Sequence, residues 1–282
     1  MKSLLFLYFC VAMAFSAMAS SVSDTYVIPN PQQMVCGDGH FVLRAQASFS
    51  CNLTGADKDD FVSYVSNSPL SLTYKKKGKA DITFKLVSPE NAKMKEEAYR
   101  LKVTKKGIQA EATSASGLFY AFQSIVQLAR ESGNDTYQLP EVTIEDAPRF
   151  SYRGMHLDVS RHFYTKEFVK KQIDALARYK LNRFHWHLTD GAGWRIEIKK
   201  YPELTRETAY RPFPDWKSWW NGGRTYCRQD APGASGGYYT QEDVKEIVEY
   251  ARQRHITVIP EIEMPAHSEE VLAALPQLAF GG

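Results

Sequence analysis

The chain has 282 residues, with 35 Lys and Arg set against 32 Asp and Glu for a formal charge of +3. The basic residues are dispersed among acids, so there is no basic face for nucleic acid, and a polyanionic partner is excluded. Hydrophobic residues at 44% and charged residues at 24% belong to an ordinary globular enzyme with ample core, and aromatics at 13% suggest ring-stacking surfaces as well. At the amino end, Lys2 precedes an apolar run from Leu4 to Phe15 and the small-residue triplet Ala17, Met18, Ala19, the pattern of a secretory signal peptide over residues 1–19. The run is about a dozen residues, short of the roughly 18 to 20 needed to span a membrane, and no other stretch comes closer. A mature chain beginning near Ser20, with no membrane span and a secreted or periplasmic location, is expected. Cys10 leaves with the signal, and the odd number that remains, Cys36, Cys51 and Cys227, allows at most one bridge. Cys36 and Cys51 pairing across a local hairpin and two buried free thiols are the alternatives.

Up to about Asp146 the chain alternates. Ile82, Phe84 and Leu86 recur at period two, as do Tyr99, Leu101 and Val103, with a turn signal at Lys106 and Gly107. From Ser116 the period changes, and Leu118, Phe119, Phe122, Ile125, Val126 and Ala129 share one helical face, with Ser114 or Ser116 available as N-cap. A strand-rich layer with one or two helices, a small α+β domain over residues 22–146, is predicted.

A different rhythm follows. Strands are predicted over 152–158, 182–188 and 256–262, with helices over 166–179 and 241–254. The first helix carries Phe168, Ile173, Leu176 and Ala177, and the second, capped by Thr240, carries Val244, Ile247, Val248 and Ala251. This βαβαβ order argues for a parallel α/β sheet, doubly wound or closed into a barrel. No glycine-rich fingerprint follows a strand, which disfavours a dinucleotide cofactor. Between the second strand and the second helix lies a segment of about fifty residues rich in Gly, Pro, Trp and Tyr, a length that marks a functional loop.

Chemistry gathers at the carboxyl ends of the three strands: Asp158, Arg161 and His162 after the first, Asp190 after the second, and Glu261, Glu263 and His267 after the third. That edge is where parallel α/β folds seat substrates. His185 and His187 point to one side of a strand. With Glu261, Glu263 and His267 they could form a metal site, and otherwise they are hydrogen-bonded core residues. Trp194, Trp216, Trp219 and Trp220 either pack the loop or offer indole faces to sugar rings.

RGMHLDVSRHF at 153–163, NRFHWHLTDGAGWRIEIKKYP at 182–202 and VIPEIEMPAHS at 258–268 resemble, in order, the first three barrel strands of glycoside hydrolase family 20, the β-N-acetylhexosaminidases. IPNPQQM at 28–34 and the segment at 96–128 are similar to that family's small α+β domain. The resemblance implies a small α+β N-terminal domain followed by the first three β/α units of a (β/α)8 TIM barrel, residues 149–282, truncated after strand 3. It implies a hydrolase that removes terminal β-linked N-acetylglucosamine or N-acetylgalactosamine from glycans, with no metal or organic cofactor. Arg153 matches the arginine that holds hydroxyls of the terminal sugar, Asp190 and His267 match polar residues of the same pocket, and Glu263 matches a supporting acid.

The family pattern departs at Gly191, where a second aspartate is usual, so that a carboxylate partner for His267 is expected to be missing or replaced. It departs also at Ala266, where glycine is usual and the added methyl is expected to tighten a turn. A closed eight-stranded barrel takes about 250 residues. In this family the catalytic Asp-Glu pair ends the fourth strand, beyond Gly282, so no residue here is assigned as catalytic. The family's chemistry is substrate-assisted and retaining. A non-catalytic sugar-binding product and a metal-dependent amidohydrolase built on His185 and His187 are the competing readings.

Overall fold

Apolar and polar residues alternate through the strands of the first layer: β1 (Gln33–Leu43), β2 (Ser48–Cys51), β3 (Thr73–Tyr74), β4 (Ile82–Leu86), β5 (Tyr99–Thr104), β6 (Gly107–Ala112), β7 (Arg130–Gly133) and β8 (Thr136–Asp146). The computed structural model describes residues 25–92, 94–133 and 135–279. The expected signal peptide, with Cys10, lies outside the described residues. Strand β5 buries Tyr99, Leu101 and Val103 while Arg100 and Lys102 face water, and β4 likewise buries Ile82 and Phe84. The sheet order is β1-β8-β5-β6-β4-β2-β3, with β7 on β8. Helix α1 (Gly55–Ser66) contributes Phe61 and Val65 to the core, and helix α2 (Ala115–Leu128) is buried along nearly its whole length. Of the two candidate caps for α2, Ser114 is the one used: its hydroxyl accepts from Gly117 N at 3.1 Å. Phe61 meets Phe84 edge-on at 4.9 Å between ring centres, and Tyr64 meets Phe119 at 4.8 Å, which fixes the helices on the sheet. Because β1 pairs with β8 and not with β2, no hairpin brings Cys36 to Cys51. Both are free thiols, as is Cys227, and Cys36 is exposed rather than buried.

The second layer comprises β9 (Gly154–Asp158), α3 (Lys166–Arg178), β10 (Arg183–His187), β11 (Thr189–Asp190), β12 (Gly193–Trp194), α4 (Glu203–Thr208), β13 (Tyr210–Arg211), α5 (Trp216–Asn221), β14 (Ser235–Gly236), α6 (Gln241–Arg252), β15 (Thr257–Glu261) and α7 (Glu269–Ala274). Strands β9, β10 and β15 are parallel neighbours, and their register lines up Asp158, His187 and Glu261 at the carboxyl edge. On one face Phe184 and Trp186 are fully buried in one core with Val169, Ile173, Leu176 and Ala177 of α3 and Ile247 and Ala251 of α6. The opposite face carries His156, Asp158, His185, His187 and Glu261, as the two-residue period requires. Val248, expected on the buried stripe of α6, is 45% exposed, since the contact follows positions 244, 247 and 251. Thr240 and Asp243 close α6 with a full capping box. The long segment after β10 is no structureless loop, because α4, α5 and the paired strands β11–β12 and β13–β14 lie within it.

A polar knot joins the two layers at the amino ends of the strands. Arg153 extends both guanidinium nitrogens to Glu97, at 3.0 and 3.2 Å, and also donates to Lys180 O at 2.7 Å and Tyr120 Oη at 3.2 Å. Lys180 donates to Tyr99 Oη at 2.8 Å and lies 3.3 Å from Asp146. Burial lowers the Lys180 ammonium to about 8 even with Asp146 beside it. Among the described residues no helix is long and apolar enough to cross a membrane.

Candidate active site

The carboxyl edge is built first from Asp158. One oxygen accepts from Ser160 N at 2.9 Å and Arg161 N at 3.0 Å, turning the chain off β9, while the other accepts from Arg161 Nη1 at 2.9 Å. Burial raises the Asp158 carboxyl, but the backbone and side-chain hydrogen bonds from Arg161 outweigh it and hold the group below its ordinary value. Arg161 is also fixed from behind, because Arg211 donates to its carbonyl at 2.7 Å. The free edge of the Arg161 fork lies 2.6 Å from Asp190 Oδ2, and the same oxygen is 3.0 Å from His267 Nδ1. Burial raises the Asp190 carboxyl against the opposing charges of Arg161, His267 and His187.

His187 is buried behind this chain of contacts, with Asp190, Asp158, Glu263 and Glu261 standing 3.6, 3.8, 3.8 and 4.0 Å from its ring nitrogens. Glu263 N donates to Thr189 Oγ1 at 2.9 Å, and the Ser268 hydroxyl donates to the carbonyls of Glu263 and Ala266 at 3.2 and 2.9 Å, pinning the turn that carries His267. It is His267 that takes the left-handed backbone, φ 52, and Ala266 is exposed, so the extra methyl meets open space instead of tightening the turn.

Asp190 and Glu263 therefore both stand beside His187, and His267 reaches the same place through Asp190. Arg153 is not among them. It precedes β9, whose five residues at about 3.3 Å each set it roughly 16 Å from the carboxyl edge, and its donors are committed to Glu97, Tyr120 and Lys180. The arginine at the carboxyl edge is Arg161, at the other end of the same motif. Arg161 follows the strand-end rule, whereas the motif's first arginine lies at the amino end of β9. Likewise His267 does not want for a carboxylate, since Asp190 supplies it. At Gly191 the space of the absent side chain is filled by Glu269, whose Cδ would lie 2.9 Å from a Cβ placed there.

Beneath the site, Arg195 is 1% exposed and donates to the carbonyls of Val159, Ser160, Ala192, Ala209 and Gly237. Ser160 Oγ donates to Asp190 O at 3.1 Å and Gly193 O at 2.9 Å. The turns after β9 and β10 and the long segment are thereby tied to one buried guanidinium, whose proton affinity burial lowers to about 10. Trp194 and Trp219 are core residues, whereas Trp216 and Trp220 are 40% and 45% exposed on α5, with ring centres 5.5 Å apart. Arg195, Glu269 and Glu270 were not visible as site residues in the sequence, since nothing in their spacing marks them.

His156, His187 and Glu261 bring ligand atoms within 4.8 Å of one another, a different set from the one suggested by the His-x-His spacing alone. Zinc bonds of about 2.0–2.1 Å set tetrahedral ligand atoms roughly 3.4 Å apart. His156 Nε2 and Glu261 Oε2 are 3.5 Å apart, close to that spacing, but His187 and Glu261 are 4.0 Å apart, and Glu261 Oε2 is already 2.6 Å from His185 Nε2. The residues present fit a histidine–carboxylate network better than a metal centre.

The whole described chain has known relatives. Residues 24–147 match the family model for Glycosyl hydrolase family 20, domain 2, and residues 150–281 that for Glycosyl hydrolase family 20, catalytic domain. A beta-hexosaminidase of Vibrio furnissii is 39% identical over 268 residues, 93% of this chain and 41% of its own. One from Porphyromonas gingivalis is 48% identical over 192 residues, 66% of this chain and 23% of its own. The crystal structure of the GH20 exo beta-N-acetylglucosaminidase of Vibrio harveyi in complex with N-acetylglucosamine matches with a TM-score of 0.77 at 35% identity, covering 90% of this chain and 38% of that one. The beta-N-acetylhexosaminidase of Bacteroides fragilis matches at 0.74 and 33% identity, with 90% and 48% covered. The chain thus spans less than half the length of each of these four proteins, and by both halves of its sequence it belongs to glycosyl hydrolase family 20.

Proposed function

We propose that the complete protein is a secreted exo-β-N-acetylhexosaminidase, and that this chain supplies its α+β domain, residues 22–146, and the first three β/α units of its (β/α)8 barrel, residues 149–282. The observation that carries the reading is the Arg161–Asp190–His267 relay at the carboxyl edge of three parallel strands, the edge where such barrels bind substrate. Supporting it, β9 and β15 each have a neighbour on one side only among the described residues, the open edges that further strands would close. The expected signal sequence supports export.

In this reading the planar fork of Arg161 donates to hydroxyls of the terminal N-acetylhexosamine, having been stripped of freedom by Asp158 and Asp190. Asp190 fixes the ring of His267 through Nδ1 and leaves its other nitrogen aimed away, available to a carboxylic acid brought by a later strand. Residues beyond this chain protonate the glycosidic oxygen and support attack by the substrate's acetamido oxygen, with retention at the anomeric carbon. The test is incubation of the complete protein with 4-nitrophenyl N-acetyl-β-glucosaminide, following the first-formed anomer by NMR with and without chelator. The β anomer forming equally in both supports the reading. An α anomer, no turnover, or activity lost to chelator and restored by zinc overturns it.

A further inference from the structure

Two threads tie the tryptophan-bearing helix α5 to Gly191, the residue next to Asp190. In one, Tyr226, packed against Trp219 with ring centres 5.9 Å apart, donates its hydroxyl to Gly191 O. In the other, the Arg224 guanidinium lies 3.5 Å from the centre of the Trp220 ring and its Nη1 is 3.4 Å from Glu269 Oε1. The Glu269 carboxylate in turn lies over Gly191, in the volume that a side chain at 191 would fill. Glu269 can occupy that place only because residue 191 has no Cβ.

We propose that Glu269 is a positioning residue: entering the space left by Gly191, it latches Arg224 and the exposed Trp220 face onto the carboxyl edge beside Asp190. The proposal rests on the hexosaminidase reading for its consequence, a set affinity for substrate, but not for the latch itself. Glu269 is half-exposed and flexible, so a methyl at 191 displaces it without disturbing the core. Removing the latch leaves the Arg161–Asp190–His267 contacts in place, so it should weaken binding more than turnover.

The experiment is a set of variants in the complete protein: Gly191→Ala, Glu269→Ala, their double variant, and Gly191→Asp/Glu269→Ala. Gly191→Ala and Glu269→Ala are each expected to raise KM about three- to tenfold with a smaller change in kcat, and the double variant to do no more than either alone. Gly191→Asp/Glu269→Ala, which returns a carboxylate to the vacated volume, should move KM back toward that of the unaltered protein. Acrylamide quenching of tryptophan fluorescence reads the latch without any assay of turnover, and should increase equally in the first three variants. A neutral Gly191→Ala, or single effects that multiply in the double variant, overturns the latch. An inactive parent protein with the quenching pattern intact would overturn the enzymatic reading and leave the latch standing.

Discussion

Arg161 Nη2 and His267 Nδ1 converge on one oxygen of Asp190, at 2.6 and 3.0 Å. The two side chains come from turns that follow different strands, so the Asp190 carboxylate is the joint between the β9 turn and the β15 turn. Burial raises its carboxyl while the charges of Arg161, His267 and His187 oppose the rise.

Arg153 serves the architecture. It and Glu97 are 14% and 20% exposed, and cutting one partner from a buried pair typically costs 3–5 kcal/mol. With this partial exposure, Arg153→Met and Glu97→Gln should each destabilise by about 2–3 kcal/mol. The double variant should cost clearly less than the sum, because removing both partners leaves no orphaned charge. Urea denaturation of the four proteins checks this, and additive losses would mean that the pair is not coupled.

Glu270 is fully buried, its carboxylate oxygens have no hydrogen-bond partner among the described residues, and burial, with Asp190 and Glu269 nearby, raises it from 4.5 to about 8. Between those values the folded protein holds a proton that the unfolded chain has released, so stability falls as pH rises across the window from 4.5 to 8. The loss from pH 5 to 8 attributable to this residue is on the order of 3 kcal/mol. Glu270→Gln should raise the melting temperature at pH 8, leave it nearly unchanged at pH 4.5, and flatten the slope between. Calorimetry at several pH values in that range checks the sign.

Gly193 makes room for the buried arginine. A Cβ there would stand 2.5 Å from Arg195 Cζ, and Arg195 has five carbonyl partners to lose. Gly193→Ala should therefore destabilise by more than about 2 kcal/mol, well beyond an ordinary surface change. It should also lower activity by loosening the turn that carries Asp190. A Gly193→Ala protein with unaltered melting temperature and activity would show that Arg195 is not the brace described.

Much of this was legible in the chain. The period-two runs of β4 and β5, the capped stripes of α3 and α6, and the acid-and-histidine strand ends each follow from a local rule; Asp190 meets His267, and Glu263 stands beside His187. What local rules could not supply was pairing. Nothing in the alternation says that β1 joins β8, which decides between the two alternatives for Cys36 and Cys51 in favour of free thiols. Two arginines bracket one strand, and only the strand's direction distinguishes Arg161, at the carboxyl edge, from the interlayer Arg153. Glu269 became visible only once α7 was seen lying over Gly191.

The most direct test of the account compares kcat/KM on an N-acetyl-β-glucosaminide for Arg161→Ala and Arg153→Met in the complete protein, at a temperature where both remain folded. The account predicts a loss of about a hundredfold or more for Arg161→Ala, roughly 2.7 kcal/mol of transition-state binding, and less than about threefold for Arg153→Met. A large loss for Arg153→Met with near-normal activity for Arg161→Ala would contradict it and move the sugar-binding arginine to the opposite end of the strand.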